Sequence, residues 1–201
     1  RLVNKQGSTI CHATNATGWC SVQLSQLYQT YKYEAILDLN GFDQTVKAID
    51  NIPVVDGSKQ IIKSDKMCVL TVSNDVDAVT AREQGDVRGL VTIRKSGAGV
   101  WTTHEKNSTS GDFVVSQGVL AIAENDVLPC GSRDSRLTIA DGAKVAVADG
   151  VIATVPRLTL GDKMQLAGVY GGRGCTVAGA RILPEYFADG AGAVRVTRGN
   201  G

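Results

Sequence analysis

The tripeptide Ala140-Asp141-Gly142 returns eight residues later as Ala148-Asp149-Gly150, with the apolar-alternating segment 143–147 between the two copies. Asp-Gly favours tight turns because glycine enters positive φ at no steric cost. The pair therefore reads as two consecutive reversals of a β-meander. Candidate strands at 113–116, 119–123, 137–140, 144–148, 151–155, 164–169, 176–182 and 194–197 keep the same rhythm. Turn signals separate them at intervals of roughly eight to twelve residues, the cadence of a sandwich or barrel. A second echo pairs Arg136-Leu137-Thr138-Ile139 with Arg157-Leu158-Thr159-Leu160. Two copies fall short of the three or more stacked units that a solenoid normally needs.

The first half is organised differently. Residues 1–110 hold 8 of the 23 glycines and residues 111–201 hold 15, which places a candidate subdivision near 110. Residues 1–20, small and polar, read as an N-terminal arm; 21–201 read as a β-rich domain. The spacing of Val22, Leu24, Leu27, Tyr28 and Tyr31 suits one or two helical turns. Alternation over 33–39 predicts a strand ended by Asn40-Gly41, and 44–52 predicts a short helix with Val46 and Ile49 inward. Residues 66–73 predict a strong strand, and 90–94 and 99–103 a β pair joined across Lys95-Ser96-Gly97-Ala98. The expected fold is mainly β, an antiparallel sandwich, jelly-roll-like, or a barrel, with one or two short helices.

Charge narrows the function classes. The chain of 201 residues carries 21 Lys+Arg and 20 Asp+Glu, a balance unlike that of a nucleic-acid-coating surface. No apolar run reaches 18 residues, so no membrane-spanning helix is expected. The sequence starts at Arg1, which is read as a processed product or as part of a longer chain with a charged arm upstream. The five cysteines, Cys11, Cys20, Cys68, Cys130 and Cys175, leave an odd thiol in a monomer. They read as buried free thiols, with a Cys11–Cys20 disulfide as the alternative. Asn15-Ala16-Thr17 and Asn107-Ser108-Thr109 are glycan acceptor triplets if the protein is secreted.

Candidate chemistry is sparse. Gly172-Arg173-Gly174-Cys175 has the form of a nucleophile turn, with His104 or His12 as base and glycine N–H groups for an oxyanion. Ser108 or Ser110 with Lys144 would make a Ser/Lys dyad, since a buried lysine can lose its proton. Each has a plain structural alternative: a flexible glycine loop leading into a buried strand at Cys175, and a solvated lysine. Asn74, Asp75, Asp77, Glu83 and Asp86 form an acidic stretch whose hard oxygens suit calcium, with a solvated loop as the alternative. Arg173, Arg181, Arg195 and Arg198 are the densest basic set, and Arg195 and Arg198 are the candidate nucleic-acid contacts.

Two segments resemble the coat proteins of small icosahedral viruses. The run from Leu24 through Tyr28-Gln29-Thr30-Tyr31-Lys32-Tyr33 to Leu37 resembles their short helix leading into a strand. Val69-Leu70-Thr71-Val72-Ser73-Asn74-Asp75-Val76-Asp77-Ala78 resembles their later strand ending in an acidic loop. This likeness covers about 30 residues and implies a jelly roll, with calcium at Asp75 and Asp77. The segment from Ser110-Gly111-Asp112-Phe113 to Gly118-Val119-Leu120-Ala121-Ile122-Ala123 is similar in character to phage decoration proteins. The expected function is a structural coat or decoration subunit of a virion. Its partners would be copies of itself in a symmetric assembly and viral nucleic acid through an arm, with no membrane. The alternatives are a viral-type protease with a Ser/Lys or Cys/His centre and a secreted binding domain.

Overall fold

The computed structural model describes residues 2–3, 22–24, 34–47, 49–51, 59–79, 85–104, 106–128 and 132–199. These residues form a β-solenoid of about 4 turns and contain no helix. Each turn visits three faces, and each strand pairs in parallel with the strand one turn earlier. The first face stacks Glu34–Asp38, 59–63, 85–89 and Lys106–Thr109, with Ile36 opposite Ile61, Ile61 opposite Asp86 and Asp86 opposite Lys106. The second face stacks Gln44–Val46, 68–73, 91–96, Phe113–Val115, Arg136–Ile139 and Arg157–Leu160. The third stacks Ala78–Val79, Val100–Thr103, Val119–Ile122 and Lys144–Val147.

This arrangement overturns the antiparallel sandwich, jelly roll and barrel, and among the described residues no short helix is found. The two Ala-Asp-Gly turns are corners of one coil rather than reversals. Gly142 and Gly150, at φ +81° and +77°, turn the chain from the second face to the third and from the third to the first. A hairpin turn and a solenoid corner draw on the same positive-φ residue, so the motif does not distinguish them. The strands expected to pair across residues 95–98 lie on different faces. Segment 44–52 is not a helix but the strands Gln44–Val46 and Ile49–Asn51. Its inward apolar residues suit both periods, and pairing of Thr45 and Val46 with Thr71 and Val72 favours the strand. The helical turn expected at 21–33 falls largely outside the described residues, of which Val22–Leu24 is a strand. The arm at 1–20 lies outside them apart from Leu2–Val3.

The core is a narrow column of alternate residues. On the second face Leu70, Val72, Ile93, Phe113, Val115, Leu137, Ile139, Leu158 and Leu160 point inward and are buried. They meet Trp101, Leu120, Ile122, Val145 and Val147 of the third face, and the Trp101 and Phe113 rings lie 6.0 Å apart. Each such side chain contributes roughly 1.5–3 kcal/mol by leaving water. At the C-terminal end antiparallel pairs join the parallel ones. Lys163–Met164 folds back antiparallel on Arg157–Leu160, and Gly168–Gly171 runs antiparallel to Ala193–Val196, which covers Ile152–Val155. Phe187 seats on Val145, and with buried Tyr170 it closes the core.

Corners between the second and third faces require glycine where one layer sits on the next. A Cβ on Gly118, at φ +69°, would lie 2.4 Å from the Gly97 carbonyl oxygen, whereas a Cβ on Gly142 would meet nothing within 4 Å. Gly142→Ala should therefore cost only the backbone term of about 1–2 kcal/mol. Gly118→Ala should cost at least about 1 kcal/mol more, through the clash with the layer below. Denaturant midpoints of the two variants, compared at equal m-value, check this order.

Candidate functional site

At the corners the backbone ladder is interrupted, and N–H groups arriving on the next turn need other acceptors. Aspartates and one asparagine supply them. Asp43 accepts from Val69 N–H at 2.8 Å and Asp77 from Val100 at 2.9 Å; within the first face, Asp86 accepts from Ser108 at 3.0 Å. Asp112 accepts from Arg136 at 2.9 Å, Asn125 from Ile152 at 3.1 Å and Asp149 from Ala191 at 3.0 Å. This gives the acidic stretch a structural use: Asp75 and Asp77, the candidate calcium ligands, bond the N–H groups of Ala98 and Val100. Among the described residues no group of three His, Cys, Asp or Glu side chains converges, and Glu83 lies outside them.

The proposed nucleophiles and bases fall at separate places. Ser108, on the first face, donates its hydroxyl to Asp86 at 2.7 Å, and Asp86 also holds Arg88. Ser110 lies at the following corner, its N–H on Gly89 O. Lys144 is on the third face, its N–H on Gly118 O. His104 sits at the corner between the third and first faces, with Nδ1 3.3 Å from Glu124 Oε1. Cys175 is a free, half-buried thiol in the C-terminal cap. The glycines near it serve packing, since a Cβ on Gly172 would stand 2.0 Å from Ala188 O. Arg195 is an exposed residue of Ala193–Val196, and Arg198 lies just beyond that strand.

The acceptor triplet at Asn107 is closed. The side chain is 3% exposed and its Nδ2 donates to Val127 O at 2.6 Å, so the nitrogen that would carry a glycan is committed inside the coil. Asn15, His12, Cys11, Cys20 and Cys130 lie outside the described residues. Cys68 is a buried free thiol, and burial pushes its pKa up.

The most unusual polar residue was not singled out from sequence. Lys95 is 0% exposed and faces the core. Its ammonium crosses to the corner and donates to Ser96 O and Gly97 O at 2.7 Å and to Gln117 O at 3.2 Å, clamping two successive layers. Parity would have revealed it, because Val91, Ile93 and Lys95 occupy alternate inward positions. Buried Asn74 plays a similar part, donating to Val76 O at 2.8 Å and Val100 O at 3.0 Å.

Compared with known protein families, curated proteins and solved structures, the chain matches none.

Burial pushes the Lys95 pKa down to about 8, from 10.5. The folded state therefore releases this proton before the unfolded state does. The charged amine costs stability fully below about pH 8, and that cost is relieved as pH rises toward 10.5. The free energy of unfolding of the wild type, minus that of Lys95→Met, should rise by up to about 3 kcal/mol across this window. Parallel pH titrations of the two proteins by denaturant unfolding measure it; a flat difference contradicts the burial of a charged amine.

Proposed function

We propose that the protein is a structural subunit of a virus or phage particle, acting through the sides of a stiff β-solenoid rather than through a reaction centre. The coat likeness rested on a jelly roll, which the fold does not have. The likeness to decoration proteins rests on segment 110–123, which supplies one inward strand to each of the second and third faces, and that is the setting we retain.

One observation carries the reading. Met67 and Leu90 are 84% and 43% exposed. Cys68 pairs with Val91, so these two residues stand beside each other on neighbouring turns, at the bulge between the first and second faces. We read this exposed apolar pair, on an otherwise polar corner, as the apolar centre of a contact with protein. The near-zero net charge suits packing of like copies without strong repulsion. The partner on this reading is a second copy of the chain, and the location is the virion.

Light scattering with size-exclusion chromatography and electron microscopy test the proposal. The wild type should form concentration-dependent oligomers or ordered assemblies. Met67→Asp with Leu90→Asp should keep the melting profile and raise the association midpoint at least about tenfold, the scale of 1.4 kcal/mol. A protein that stays monomeric at all salt concentrations contradicts the reading. So does labelling of Ser108, Ser110 or Cys175 by a protease active-site reagent, which would favour the viral-type protease.

A further inference from the structure

A line of arginines crosses three successive layers at the corner between the first and second faces. Arg136 and Arg157 stand opposite each other in the parallel ladder. Val155 faces Val196, and Thr197 N–H and Arg198 N–H bond the consecutive carbonyls of Val155 and Pro156, which brings Arg198 to the same corner beside Arg157. Arg136 and Arg157 stand at the spacing of adjacent strands, about 4.8 Å.

Like charges set directly opposite in a sheet destabilise it. Here the compensation within the chain is slight. Arg157 Nη2 pairs with Asp134 Oδ1 at 2.9 Å, and Asp134 is 76% exposed at its side chain. Among the described residues Arg136 and Arg198 have no ion-pair partner. Among the described residues, three buried side-chain polar atoms without a hydrogen-bond partner fall together on this spot: Arg136 Nε, Arg157 Nε and Thr159 Oγ1. Orphaned donors are costly, and their concentration on two adjoining layers marks a place short of an acceptor.

We propose that the Arg136–Arg157–Arg198 ladder binds the sulfate groups of a sulfated glycan laid along the solenoid axis. A tetrahedral oxyanion has several acceptor oxygens and can take hydrogen bonds from two guanidinium groups at once, which is the geometry arginine favours. One anion between each pair of layers turns the like-charge contact from repulsive to attractive. Thr138, on the same strand as Arg136, adds a hydroxyl suited to a sugar oxygen. A sugar chain fits better than a nucleic acid because the basic groups form a narrow line on a chain of net charge +1, whereas duplex binding draws on a broad basic surface. The inference does not depend on the structural role proposed above.

The test is binding of a heparin oligosaccharide, of its desulfated counterpart and of a duplex DNA, each titrated calorimetrically at graded sodium chloride. The sulfated chain should bind wild-type protein more weakly as salt rises. The variant R136Q/R157Q/R198Q should lose at least about tenfold in affinity and show a shallower salt dependence. Its melting temperature without ligand should not fall, because like-charge repulsion is removed. If it does fall, Arg→Lys changes at the same positions keep the charge, and should weaken binding through loss of the planar fork. R195Q, exposed but off the line, should bind as the wild type does. The proposal is overturned if the ladder variants bind unchanged, if R195Q weakens binding as much as they do, if the desulfated chain binds equally, or if duplex DNA binds as tightly.

Discussion

Everything in this molecule depends on parallel, in-register hydrogen bonding between one turn and the next. A single turn of 19 to 26 residues, the spacing from Val100 to Val119 and from Gln44 to Leu70, cannot bury its own apolar side. Stacking supplies both the backbone partners and the core, so neither exists without the neighbouring turn. The same constraint explains the cap. A parallel ladder has no natural end, and the antiparallel returns at Lys163–Met164 and Gly168–Gly171, with Phe187 over Val145, end it by changing strand direction.

The constraint also governs where polar chemistry goes. Corners break the ladder, and six backbone N–H groups there are received by aspartate or asparagine side chains of the preceding turn or, for Ala191, by Asp149 beneath the cap. Lys95 and Asn74 serve corner carbonyls in the opposite sense, as donors. Residues that look reactive in sequence are thus largely fasteners between layers. The surfaces left for work are outward: the Met67–Leu90 ridge and the arginine line.

Strands were legible and topology was not. The inward alternation at 113–116, 137–140, 144–148 and 151–155 marks real strands to within a residue or two. Alternation is the same whether the neighbour runs parallel or antiparallel, and Asp-Gly serves a corner as well as a hairpin. Turn lengths vary too much for a fixed period to emerge. The echo of Arg136–Ile139 in Arg157–Leu160 was the one local trace of stacking, since those residues lie on one another position by position. The candidate site was less visible still. Arg198 joins Arg157 across a cap excursion of 41 residues, the spacing of Val155 and Val196, and no local pattern encodes that step.

The coil therefore unites the account of core, corners and surface, and its register is the claim to test first. Thr138 and Thr159 are opposite outward residues on adjacent parallel strands. At a strand spacing of about 4.8 Å their Cα atoms are within the range a disulfide can span. In the double variant Thr138→Cys with Thr159→Cys, mild oxidation should yield an intramolecular bond between positions 138 and 159, located by mass spectrometry of the digested monomer, with the melting temperature retained or raised. Failure of this pair to close, with 138 joining a cysteine placed at 146 instead, would mean that the Ala-Asp-Gly turn is a hairpin and would contradict the solenoid.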